Sequence, residues 1–336
     1  MTSRRKLSYS RLADLAILLF ALVLIIIYLM TPHQKSPDTI YPAALQPGDK
    51  IAILAPAGPI ERGVVDSAAT VLRTLGYRVE IMPHTFGKYG HFSGTHAERL
   101  ADLRAALTDP DVRAILCARG GYGVAHNLDS LATLPLRDDP KWIIGFSDIS
   151  ALHALMASQG IASIHSSMAK QVALGDAHPD NAPLLDMLRG AMPSYTWAPS
   201  PYNHPGRAEG KLLGGNLAVI ADLIATPFDI IDDDCILFIE DVSEPIYKTE
   251  RIIYQLRLSG VLDRIRGLII GQFTDYKPDE NHPTTEAMLA EALSPYDLPI
   301  AFGAPVGHVD HNIPLMESAW ATLDVTPERT TLQLQR

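Results

Sequence analysis

Three short stretches of this chain carry the residue types of a nucleophile, its base and a carboxylate that orients the base. The first is Gly145-Phe146-Ser147-Asp148, set between the apolar residues 142–144 and 149–156. A strand that turns sharply at one serine and enters a helix lifts the hydroxyl to the strand's carboxyl end, where backbone N–H groups of the helix start face it. The second is Glu240, which closes the run Cys235-Ile236-Leu237-Phe238-Ile239; the third is His308, in the loop Gly307-His308-Val309-Asp310-His311-Asn312. Serine activated by a carboxylate-oriented histidine is an apparatus for acyl transfer, so the chain reads as a hydrolase. Each residue also has a local reading, as a helix cap, an acidic strand end and a loop histidine bonded to backbone. The common hydrolase elbow places glycine two residues after the serine, and here Ile149 stands there.

An acyl-transfer site needs fixed donors for the oxyanion. The backbone N–H of Asp148 and one from the Gly120-Gly121 turn are the expected pair, since glycine permits close approach. Arg119 beside that turn is either a ligand for a substrate carboxylate or half of a structural ion pair. Tyr122 and Asn216 complete the candidate substrate contacts. The only tight His/Asp group, His308 and His311 around Asp310, has no persuasive third and fourth ligand; no CxxC or HExxH occurs, and neither a metal nor a cofactor is expected.

The elements that must hold these residues alternate between strand and helix. Strands are expected at residues 50–56, 77–82, 112–117 and 142–144, and helices at 64–75 and 95–107, the latter carrying Glu98, Arg99, Asp102 and Arg104 on its wet side. Such alternation implies a mostly parallel sheet with the site at the strands' carboxyl ends. The fold class is therefore α/β: a doubly wound, mostly parallel domain, then a smaller β-rich α/β domain, preceded by one transmembrane helix. In these terms residues 1–11 are a cytoplasmic N-terminus, 12–31 the anchor, 32–47 a tether, 48–175 the nucleophile domain, 176–209 a Pro/Asn/Asp-rich linker, and 210–336 the domain carrying Glu240 and His308.

A length of 336 residues with 47% apolar content suffices for two cores, and a net charge of -10 argues against nucleic acid as a partner. Arg4-Arg5-Lys6 and Arg11 precede an unbroken apolar stretch over residues 15–30. With no small-x-small cleavage site, that stretch reads as an uncleaved span with the basic end in the cytoplasm and the rest in the periplasm or cell envelope. Cys117 and Cys235 lie in apolar runs, as two buried thiols or one disulfide.

Taken with their surroundings, the three candidates form a set that resembles the LD-carboxypeptidase family of serine peptidases, including its microcin-immunity-type members, from about residue 48 to 334. The resemblance rests on Gly48-Asp49, Gly94-Thr95 with Glu98-Arg99, Ala118-Arg119-Gly120-Gly121-Tyr122-Gly123, Gly145-Phe146-Ser147-Asp148, Gly214-Gly215-Asn216-Leu217, Glu240-Asp241 with Glu244 and Tyr247, and Gly307-His308 with Asn312. It implies Ser147 as nucleophile, Glu240 and His308 completing the triad, a homodimer, and a murein tetrapeptide losing its terminal D-alanine. Alternatives are another peptide or amide substrate, or a non-catalytic murein-peptide binding protein of the envelope. A penicillin-binding-type enzyme, suggested by Ser167-Met168-Ala169-Lys170, lacks its companion motifs. The chain departs from the family at His165-Ser166-Ser167, where His-Gly-Pro is usual, and near Leu315-Met316-Glu317, where a glycine is replaced.

Overall fold

Interior strands of a parallel sheet are covered on both faces and need continuous apolar runs, and the chain's most apolar short segments become those strands. The structure, a computed structural model, describes residues 38–231 and 233–336. The first sheet contains β1 (Lys50–Leu54), β2 (Arg78–Ile81), β3 (Val112–Cys117), β4 (Trp142–Gly145) and β5 (Ser163–His165), all parallel. The second contains β6 (Ser194–Trp197), β7 (Gly206–Asn216), β8 (Ile236–Val242), β9 (Gly267–Thr274) and β10 (Ile300–Phe302), joined by β12 (Trp320–Val325) and β13 (Thr330–Gln335). Between β10 and β12 the chain returns to the first sheet as β11 (Leu315–Glu317), antiparallel to β5. The orders are β11-β5-β4-β3-β1-β2 and β10-β9-β8-β7-β12-β13-β6, the second being parallel through β7–β10 and antiparallel beyond β7. This is a two-domain α/β fold. Among the described residues no helix is long and apolar enough to cross a membrane, and the anchor expected at 12–31 lies outside them.

The first sheet reverses strand order at β1, which pairs with β2 on one side and β3 on the other. Such a switch opens a crevice at the carboxyl ends. Helix Arg62–Thr74 enters after β1 and buries Val65, Ala68, Ala69 and Leu72, a stripe at helical spacing. Helix His96–Thr108 starts in a capping box, Thr95 with Glu98.

Three expectations need correction. Arg99 and Asp102 are buried: Arg99 donates to the carbonyls of Pro56 and Gly123, both at 2.9 Å, and Asp102 accepts from the His84 backbone N–H at 3.0 Å. The 32–47 tether belongs to the fold where it is described, because Leu45 is buried and the Ala43 carbonyl accepts the Trp142 indole N–H at 2.9 Å. The 176–209 linker contains helix Asn181–Leu188, packed with Leu184 and Leu188 in the core beneath the first sheet, and it contains β6. Composition marked both segments as loose, but each closes its backbone hydrogen bonds on distant partners.

Candidate active site

β4 ends at Gly145, and the chain turns so tightly that Ser147 sits at φ 67°. A non-glycine residue there is strained, as at the nucleophile turn of α/β-hydrolases. The turn is held from several sides. Phe146 is buried, the Asp148 carboxylate accepts the Val124 N–H at 2.9 Å, and a Cβ added at Gly145 would meet Ile149 at 2.9 Å. Burial pushes the Asp148 carboxyl up, opposed by its bond to Val124 and by the Arg99 guanidinium.

The Gly120-Gly121 turn after β3 presses against Ser147. A Cβ on Gly120 would stand 2.9 Å from Ser147 Oγ, and one on Gly121, at φ 131°, would stand 2.9 Å from the Gly58 nitrogen. Gly58, after β1, donates to the Gly120 carbonyl at 3.0 Å, closing the crevice at the switch point. Sequence reading passed over Gly58; its signal was the end of an apolar strand at Pro56-Ala57-Gly58.

The second domain brings the candidate base. Glu240 is wholly buried near the end of β8, and its Oε2 lies 2.8 Å from His308 Nδ1. His308 keeps 21% of its side chain exposed and packs edge-on against Phe146, ring centroids 4.9 Å apart. The histidine is thus next to the residue preceding Ser147. Its loop is clamped: Gly307 N–H donates to Asn312 Oδ1 at 2.9 Å, and Asp180 accepts from the Asn312 N–H at 3.0 Å and bonds His311 Nδ1. Asp180 went unrecognised because it lies in the supposed linker. His308 and His311 are therefore turned to different carboxylates rather than to one ion.

Asn216 serves as a cap. It caps helix Leu217–Asp222 by accepting the Val219 N–H at 3.2 Å, donates to Asp241 at 2.9 Å, and is 5% exposed. Asp241 is pushed up to about 6 by burial, against its bonds to Val242, Asn216 and Ala218. Tyr122 is exposed and stacks on Phe92, centroids 5.5 Å apart. Neither residue lines the cleft beside Phe146, a space of about 700 Å³. Arg119 does, with Arg62, Lys88 and Lys170 against the single carboxylate of Glu61. The Ser167 hydroxyl is buried while Lys170 is exposed, so Ser167-Met168-Ala169-Lys170 forms no nucleophile–base pair. Both cysteines are buried thiols rather than a disulfide, and burial pushes Cys117 up, away from thiolate chemistry.

Residues 51–166 match the LD-carboxypeptidase N-terminal domain and residues 209–323 the LD-carboxypeptidase C-terminal domain. The chain belongs to the LD-carboxypeptidase family. Like other members of this LD-carboxypeptidase family it is a serine carboxypeptidase; Ser147 lies within one matched domain, and Glu240 and His308 lie within the other. The murein tetrapeptide carboxypeptidase of Pseudomonas aeruginosa is 32% identical over 296 residues, 84% of this chain and 94% of that protein. The crystal structure of a muramoyltetrapeptide carboxypeptidase from Oxalobacter formigenes superposes with a TM-score of 0.77 at 28% identity, covering 85% of this chain and 99% of that one. The microcin C7 self immunity protein MccF shares the fold, with a TM-score of 0.77 at 21% identity over 88% of this chain and 99% of its own.

Proposed function

We propose that this protein is a serine LD-carboxypeptidase, anchored in the inner membrane by residues 12–31 with its catalytic domains in the cell envelope. It removes the terminal D-alanine of murein tetrapeptides through Ser147, His308 and Glu240. The observation that carries the reading is the strained Ser147 turn beside a histidine held by a buried carboxylate.

With Nδ1–H donated to Glu240, His308 presents an unprotonated Nε2, which takes the Ser147 proton as Oγ attacks the scissile carbonyl. Glu240 stabilises the imidazolium that forms, being wholly buried and 2.8 Å away. The oxyanion is received by the Asp148 N–H and an N–H of the Gly120-Gly121 turn. The imidazolium then protonates the departing amine of D-alanine, and water, activated by the same histidine, releases the acyl group and restores the serine. A carboxypeptidase must hold its substrate's terminal carboxylate, and the cleft's four cations against one anion, in a chain of net charge -10, supply that field. Arg119, in the cleft and next to the glycine turn, is the cation assigned to it.

Release of D-alanine from a murein tetrapeptide by the purified protein, and its loss in Ser147→Ala, is the expected result. Silence from both would favour a microcin-immunity-type activity on another peptide or amide, which the fold shared with MccF supports. The topology read from the N-terminal residues and the homodimer implied by the family resemblance have their own readouts. A reporter at the carboxyl end should be active only outside the cytoplasm, and light scattering of the detergent-solubilised chain should give a homodimer mass.

A further inference from the structure

The two departures from the family pattern meet in space. β11 pairs with β5 so that Glu317 lies opposite Ser163 and Leu315 opposite His165. Beside them is His153, from helix Ser150–Ser158 that follows the nucleophile turn. All three side chains are 0% exposed, and a ring nitrogen of each histidine and a carboxylate oxygen of Glu317 lie within 4.8 Å of one another. Yet neither nitrogen of His165 and not Oε1 of Glu317 has a hydrogen-bond partner. Buried polar groups are almost always paired, so an unpartnered imidazole and an unpartnered carboxylate oxygen, set beside a second buried histidine, point to a missing ligand.

The neighbours orient these groups as the hydrogen-bond partners around a metal site orient its ligands. His153 Nε2 lies 2.8 Å from the Gly145 carbonyl, which can only accept, so Nε2 carries the proton and Nδ1 presents a lone pair. An imidazole with one N–H on a backbone carbonyl and the other nitrogen free for an ion is the usual ligand arrangement. Nδ1 now takes the Ser163 hydroxyl at 2.8 Å, a bond that hydroxyl can give up by rotating. Glu317 Oε2 accepts the Gly214 N–H at 3.4 Å, while Oε1 has no hydrogen-bond partner.

We propose that His153, His165 and Glu317 bind one divalent transition ion, zinc by its donor set. Two imidazoles and a carboxylate suit zinc rather than calcium or magnesium, which ask for all-oxygen shells. Tetrahedral zinc, with bonds of about 2.0–2.2 Å, sets ligand atoms about 3.4 Å apart, so no pair has to close by more than roughly 1.4 Å. Ser163 or a water fills the fourth position. The site is closed and structural. It fastens β5 and β11 to Gly214 of β7, tying the first sheet to the second directly behind the nucleophile strand, whose last carbonyl His153 already holds.

Metal content is read without substrate, so this inference stands or falls apart from the proposed reaction. The full chain, purified in detergent without metal-affinity resin, is expected to hold about one zinc per chain by mass spectrometry. Glu317→Gln and His165→Gln should each lower that at least about tenfold. Cobalt put in place of zinc should give the intense visible bands of a tetrahedral site. Less than about a tenth of an equivalent, with no rise in Tm when zinc is added to chelator-treated protein, overturns the proposal. Zinc retained in both variants overturns it too, since the ion would then sit elsewhere. Should the variants fail to fold, the parent's cobalt spectrum decides: tetrahedral bands support the site, and pale octahedral absorption or none rejects it.

Discussion

Replacing Gly120 by alanine tests whether the glycine turn and Ser147 work as one unit. The added methyl carbon would stand 2.8 Å from Ser147 Cβ and 2.9 Å from its Oγ. Carbon contacts settle at about 3.5–4.0 Å, so the pair is short by roughly 0.7 Å at the least. Ser147 has little room to yield, since its backbone is at φ 67°, Phe146 before it is buried, and Gly145 packs on Ile149 and Cys117. The displacement therefore falls on Oγ or on the donors of the glycine turn. A misplacement approaching 1 Å costs about 10²-fold, or about 2.7 kcal/mol in the barrier. The assay is kcat/KM for D-alanine release beside Tm. Gly63→Ala serves as control, because nothing lies within 4 Å of its added Cβ, in helix Arg62–Thr74. It should leave activity unchanged and add up to about 1 kcal/mol of stability. A folded Gly120→Ala variant within about threefold of the parent's kcat/KM would refute the argument, because the serine could not then be acting where the turn touches it.

Glu240→Gln keeps the side chain's shape but removes the charge that holds and stabilises the imidazolium; kcat should fall by about 10³–10⁴-fold, and a loss under about tenfold would remove Glu240 from the mechanism. Arg119→Ala should raise KM by about tenfold with kcat nearly constant, whereas a fall in kcat alone would deny it a carboxylate-binding role. For Asp241, burial raises the folded carboxyl to about 6, so the folded chain holds the proton more tightly than the unfolded one. Its contribution to stability is full below about pH 4 and is lost as pH rises through about 6, on the order of 2–3 kcal/mol. Urea unfolding of the parent between pH 4 and 7 should follow that decline and Asp241→Asn should flatten it; parallel curves for the two would exclude Asp241 as the source.

The legible parts of the site were those whose chemistry is local. An apolar strand that breaks at Gly145-Phe146-Ser147 announces its own turn, and β3, read as residues 112–117, appears with those bounds. The acidic end of β8 was equally plain. What stayed hidden depended on partners distant in sequence. Asp180 gains its meaning from Asn312, 132 residues on, and β6 pairs with β13 near the other end of the chain. Arg99 looked like a surface cation because helical periodicity cannot reveal that the carbonyls of Pro56 and Gly123 are waiting for it inside. The capping role of Asn216 was hidden for a similar reason: an Asn beside glycines suits a ligand or a cap equally, and only the pairing of β7 with β8 brings Asp241 within reach. The departures at His165-Ser166-Ser167 and near Leu315-Met316-Glu317 were visible in the sequence, but only β11 beside β5 makes them neighbours.

That return of β11 also governs the order in which the molecule can be made. While the ribosome is still translating the second domain, β5 is an open sheet edge with unpaired N–H and C=O groups, prone to join other chains. Helix Asn181–Leu188 reaches the first domain early, but the last strand of that sheet emerges only with residues 315–317, after Glu240 and His308 have been synthesised. The serine-bearing half is therefore completed by the same late stretch of chain that follows His308. A truncated product would lack both His308 and the edge strand, so under the proposed mechanism a nascent chain reaches hydrolytic competence only after residues 315–317 have been made.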